Sequence, residues 1–158
     1  MSELTTMQSL ATALGTIVTP VGLPSIKRIY TGVTEKIPTT AEIPCIIIFR
    51  RRPSNVSFHT FGYEKNETEF VLQLVVNPVG QSTLYDNYND TIQYADAIHT
   101  VLYAHLQLFN AGNDGVRWSL PKVDGRPGLL QEQWNGQQWF GEDFLVSVME
   151  TKPVTLGV

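Results

Sequence analysis

Two close pairs of carboxylates, Glu67/Glu69 and Glu142/Asp143, have the spacing best suited to acid–base chemistry. Two carboxyl groups about 5 Å apart across a sugar would make a retaining glycosidase. Glu67 and Glu69, two apart on a strand, point to the same side, so that geometry is conceivable. Charges at alternate strand positions have a more ordinary use, which is to keep a sheet edge soluble. His99 and His105 are six apart on a predicted helix, about 240° around its axis, and do not share a ligand. Asp96 and His99 are three apart and are expected to pair on the helix surface. His59 has no second ligand nearby in sequence. The single Cys45 excludes an internal disulfide and any multi-cysteine zinc site. It lies in the apolar run Pro44-Cys45-Ile46-Ile47-Ile48-Phe49, which predicts a buried structural thiol rather than a nucleophile.

Trp118, Trp134 and Trp139 could stack on sugar rings. Trp134 and Trp139 flank a tight turn, however, where aromatic residues stabilise a hairpin by cross-strand packing. Arg50-Arg51-Arg52 is the one dense positive cluster and is expected at a strand end. It is either a solvated terminus or a docking point for acidic loops of a neighbour, since arginine's planar fork is favoured at interfaces. Gly112-Asn113-Asp114-Gly115 follows a helix, whereas a phosphate loop precedes one and needs Gly-Lys-Ser/Thr. No Gly-x-Ser-x-Gly, His-Glu-x-x-His or dinucleotide fingerprint occurs. The catalytic, metal and cofactor inventory is therefore empty, and the expectation is a protein that is not an enzyme.

The 158 residues suffice for one domain with a real core. Charged residues make up 16%, well under the usual quarter, and Thr, Asn, Gln and Ser fill the polar share. Such a surface suits neighbours packed side by side. A net charge of −4 makes free nucleic acid an unfavourable ligand, although an acidic protein can surround DNA that must slide past without sticking. The start MSELTTMQSL lacks a positive n-region, so no secretory signal is expected. No apolar run approaches the roughly 18 residues needed to span a bilayer. The sequons at Asn55, Asn66 and Asn89 then read as chance in a protein made in the cytoplasm.

Leu4, Met7, Leu10, Ala11 and Leu14 recur at helical spacing, and Gly15 follows as a stop. Thr19–Pro24 is a rigid connector, Ile26–Val33 a short strand, and Ile37–Pro44 a proline-bearing loop. Cys45–Arg50 reads as an internal strand, apolar on both faces. Phe58–Tyr63 reads as a hairpin arm leading into the strand Thr68–Val76, with Phe70, Leu72, Leu74 and Val76 on its core face. Asn89 or Asp90 caps a long helix, Asp90 to Asn110, whose apolar side is Ile92, Ala95, Ile98, Val101, Leu102, Leu106 and Phe109. A short strand Val116–Leu120, a turn Asp124–Gly128, and a hairpin follow. Its arms are Leu129–Trp134 and Gln137–Glu150, joined by Asn135-Gly136, the strongest short-range hairpin signal. The predicted fold is thus α+β and single-domain, with a mostly antiparallel sheet packed against one long helix and a short N-terminal helix, and a C-terminal β-hairpin. The expected subdivision is 1–18 helix, 19–44 connector and loop, 45–110 sheet and long helix, and 111–158 hairpin and last strand.

That order, together with the closing aromatic hairpin Gln133-Trp134-Asn135-Gly136-Gln137-Gln138-Trp139-Phe140-Gly141-Glu142-Asp143-Phe144 running into Leu145–Glu150, resembles the tail-terminator (tail-completion, tail-to-head joining) proteins of long-tailed bacteriophages. The likeness covers nearly the whole chain as architecture, without a diagnostic motif, and leaves the segment Thr31–Pro44 unmatched. It implies a structural virion protein of the tail or neck, assembled in the host cytoplasm. It implies a homo-oligomeric ring, a hexamer, seated on the major tail-tube protein and facing a head-connector or head-closure protein. DNA would pass through the lumen without specific binding, and neither cofactor nor membrane is implied. The expected contact regions are Arg50, Arg51 and Arg52 and the loop around Trp134 and Trp139. The alternatives are another neck, tail-tube or baseplate subunit, a small glycan-binding or hydrolytic domain, and a generic cytoplasmic adaptor.

Overall fold

The computed structural model describes residues 3–32, 42–60, 63–78, 84–105, 117–131 and 138–153. It begins with helix α1 (Glu3–Leu14). Met7, Leu10, Ala13 and Leu14 are buried on its inner side, as their spacing requires. Beyond Leu14 the helix tightens and stops, with the Thr16 and Ile17 amides donating to the Ala13 and Leu14 carbonyls. The connector then makes a tight turn in which the Leu23 amide donates to the Pro20 carbonyl at 3.2 Å. Gly22 occupies the left-handed position of that turn at φ +82°, a conformation costly for any residue with a Cβ.

Five strands follow: β1 (Arg28–Thr31), β2 (Cys45–Thr60), β3 (Tyr63–Pro78), β4 (Arg117–Gln131) and β5 (Gln138–Pro153). They form one sheet in the order β1-β2-β3-β5-β4, with β1 parallel to β2 and every other pair antiparallel. Helix α2 (Leu84–Ala104) joins β3 to β4. The class is α+β in a single domain, as predicted.

The core lies between one face of the sheet and the two helices. Phe70, Leu72, Leu74 and Val76 of β3 meet Ile46 and Ile48 of β2 and Phe144, Val146 and Val148 of β5, all buried. Leu10 and Leu14 of α1 and Tyr94, Ile98 and Leu102 of α2 close over them. The opposite face holds a smaller buried cluster, Ile43, Cys45, Ile47 and Val75, with Tyr30 and Phe49 packed against it. Both faces of the 45–48 segment are therefore buried, which explains its unbroken apolar run.

Three expectations need correction. The long helix spans Leu84–Ala104 rather than starting at Asp90; Leu106 and Phe109 lie outside the described residues. Asn89 and Asp90 are inside it and do not cap its start. Asp124–Gly128 is not a turn: it runs through β4, each residue paired with β5 from Leu145 to Gly141. On an edge strand Pro127 can lack its amide without breaking the ladder, so residues that signal a turn are tolerated there. Finally, β2 does not end at Arg50 but continues to Thr60 and forms the expected hairpin with β3, Thr60 opposite Tyr63. Asn135-Gly136 lies outside the described residues, but Gln131 opposite Gln138 makes β4 and β5 the two arms of the C-terminal hairpin.

Truncating the centre of the buried row should be severe. Phe70→Ala is expected to cost about 3–5 kcal/mol in urea denaturation, while Val71→Ala, half-buried on the other face, should cost clearly less.

Candidate assembly surface

Arg50, Arg51 and Arg52 lie within β2, at a β-bulge. Arg50 is opposite Phe70 and Arg52 opposite Glu69, so Arg51 is the additional residue. A bulge bends a strand and re-aims its side chains, and here both Arg50 and Arg51 are exposed. The next irregularity, between Arg52 and Asn55, accommodates Pro53, a residue that strands admit at bulges. This is why the expected strand end is absent. β1 pairs only with Cys45–Ile48, so among the described residues β2 is an open edge from Phe49 onward.

Trp139 is opposite Leu130 of β4 and Pro78 of β3. Arg50 is opposite Phe70 on the same strand, which puts the arginines and Trp139 roughly 25 Å apart along β3. Trp134 lies outside the described residues. Trp118 is opposite Glu150, some eleven positions along β5 from Trp139, or roughly 36 Å. Trp118 and Trp139 therefore do not gather into one sugar-stacking platform, and Trp139 is a separate place from the arginines.

The carboxylates divide as well. Glu67 and Glu69 are opposite Met149 and Ser147 with no register shift between them, so they share the helix-free face. Glu67 is exposed and Glu69 half-buried. Glu142 and Asp143 are on opposite faces. Glu142 is 5% exposed on the core side, in the same alternation as Phe144, Val146 and Val148. Burial first, then the nearby charges of Asp96 and Asp143, push its carboxyl up to about 7. Its inward parity was readable from the sequence, since it shares the even-numbered face of β5.

His99 is a packing residue. Its ring stacks on Tyr103, with centroids 6.1 Å apart, and meets Phe144 edge-on at 5.2 Å, rather than reaching Asp96 on the surface. His105 closes the end of α2, its Nδ1 2.9 Å from the Val101 carbonyl. Cys45 is fully buried; burial and then the Glu42 carboxylate push its thiol up to about 12, so the thiolate is not available near neutrality. Burial and then Glu42, which also accepts its hydrogen bond, push the Tyr30 hydroxyl up. Among the described residues no group of three or more His, Cys, Asp or Glu is placed to hold a metal ion. No described helix is long and apolar enough to cross a membrane.

What the surface does offer is unpartnered apolar area. Val18 and Val21, at 81% and 99% exposure, project from the Gly22 connector. This loop is held firmly: Ile17, Leu23 and Ile26 pack on the core, and the Tyr94 hydroxyl donates to the Pro24 carbonyl. The sequence did not flag these valines, because nothing in Ile17-Val18-Thr19-Pro20-Val21 separates the inward residues from the outward ones. On the helix-free face Phe49, Val71, Leu145 and Met149 are only half-buried. No protein-family profile matches the chain, and no curated protein matches it in sequence.

The Glu142 carboxyl gives a pH test. Its folded pKa is raised, so between about 4.5 and 7 the folded state holds more protons and stability falls as pH rises. Glu142→Gln should leave stability little changed near pH 4 and raise it at pH 8, on the order of 2 kcal/mol. Urea denaturation of both proteins at the two pH values checks this.

Proposed function

We propose that the protein is a structural component of a phage tail, a terminator that caps the tail tube as a ring, ends its polymerisation and joins it to the head connector. One observation carries this reading most: the strands outrun the helix that packs on them. Strands β2 to β5 are 15 or 16 residues long, roughly 50 Å, against roughly 31 Å for the 21 residues of α2. Thr68 and Val148, paired on the core face, are buried. Past that row the β2–β3 hairpin runs on to Thr60 and Tyr63, with β5 alongside to Pro153 and β4 to Arg117. Strands that run past the helix offer neighbours a surface to pack beside.

The physical requirements of a terminator fit that shape. Tube growth is head-to-tail stacking, which continues until a subunit presents a face that does not propagate. The cap needs one face for the last tube ring, another for the connector, and lateral contacts that close a circle. The low charge content and half-buried apolar row suit lateral contacts. A net charge of −4 suits a channel through which DNA moves without binding.

The purified chain should have the native mass of a closed ring, a hexamer, and appear as discrete annuli by negative-stain electron microscopy. Growth into long tubes would make it a tube subunit instead. A monomer at high concentration would defeat the reading altogether. Particles assembled without the protein should accumulate as separate heads and tails. Glu67→Ala with Glu69→Ala should leave ring formation unchanged, whereas a glycan-cleaving protein would lose its activity.

A further inference from the structure

Among the described residues positive charge is almost wholly confined to the sheet, which also carries carboxylates such as Glu67, Glu69 and Asp143. Helices α1 and α2 carry Glu3, Asp86, Asp90 and Asp96 and contain no Lys or Arg. Apart from Lys27, every Lys and Arg among the described residues lies on a strand. The strongest concentration is Arg50-Arg51-Arg52 at the bulge of β2.

The outward stripe of α2 is also unlike a solvated helix face. Such faces are ordinarily filled with Glu and Lys, which favour the helix and pair along it. This helix has neither. From Tyr88 onward its exposed positions are Tyr88, Gln93, Asp96, Thr100, Tyr103 and Ala104, with Tyr88 and Tyr103 at 49% and 57%. Tyrosine-rich, Lys- and Glu-poor surface is the composition of a protein interface.

The two patches lie on opposite flanks. α1 packs over β1 and β2, whereas α2 packs over β3, β5 and β4. The arginines belong to β2, at the open edge beyond β1, and α2 covers the other side of the sheet. Placing copies side by side in one orientation brings the arginine flank of each to the α2 flank of the next.

We propose that the outward stripe of α2 around Tyr88, Asp96 and Tyr103 receives the Arg50–Arg52 bulge of a second copy of this chain, head to tail. The contact rests on the ring reading above and supplies its lateral bond. A guanidinium fits this stripe in two ways, by forked hydrogen bonds to the Asp96 carboxylate and by stacking on tyrosine. Because the two patches differ, the association is heterologous, and repetition of one rotation closes it into a ring.

Charge reversal tests the pairing. Arg51→Glu and Asp96→Lys both change exposed side chains, and circular dichroism with thermal melting verifies that each variant folds. Sedimentation should show each variant associating roughly tenfold or more weakly per contact than the unaltered chain, because each brings like charges together across the interface. Combining both changes in one chain should restore the ring. An equimolar mixture of the two single variants should restore it too, since alternating copies then meet opposite charges at every contact. Unimpaired rings from both single variants would overturn this contact and leave the ring reading standing. Dissociation that neither the double change nor the mixture repairs would overturn the direct pairing. A monomeric unaltered chain would overturn the ring reading and this contact with it.

Discussion

Everything in this molecule is positioned by the burial of one strip of sheet, Phe70, Leu72, Leu74 and Val76, beneath two helices. Alternation puts those four side chains on one face. That face fixes the register of β2 on one side and β5 on the other, because a slip of one residue would turn the apolar row outward. α2 is held against this strip and its neighbours on β5 and β4, and α1 against β1, β2 and α2. The bulge of β2 and the connector turn take their positions from it in turn.

The strip was legible in the sequence because its periodicity is clean. So were Cys45–Ile48, marked by an apolar run that only a strand buried on both faces needs, and α1, marked by Met7, Leu10 and Leu14. Legibility failed where local chemistry and tertiary context disagree. Asp124-Gly125-Arg126-Pro127-Gly128 has the composition of a turn, yet β5 draws it into a ladder, and an edge strand tolerates its prolines and glycines. The arginine triplet looked like a strand end because three charges and Pro53 follow an apolar run. A bulge absorbs both without ending the strand. The start of α2 was misplaced because Asn89 and Asp90 have cap chemistry, and the true first turn, with Leu84 and Tyr85, lacks a strong apolar repeat.

The candidate surface was less legible than the fold. Arg50 and Arg51 stand out in the sequence as a dense positive cluster and are exposed, but the exposed stripe of α2 was invisible, since an outer stripe cannot be told from an inner one until the helix is docked. Tyr88 lies ahead of the expected start at Asp90 and Tyr103 reads as part of an ordinary mixed helix; only their exposure distinguishes them from buried Tyr94. Glu142 shows the reverse. Its side was fixed by parity, but a carboxylate among Phe144, Val146 and Val148 is easily passed over as a solubilising charge. Depth in the sheet, not sequence position, gives it an altered acidity.

The hydroxyl of Tyr94 on the Pro24 carbonyl ties together two pieces that are 70 residues apart in sequence. The loop bearing Val18 and Val21 is thereby moored to α2 as well as to α1. A fluctuation that lifts α2 from the sheet must release this mooring, so loop and helix open as one cooperative unit. Force applied at the valine tip is correspondingly passed to the helix rather than dissipated in a slack tether.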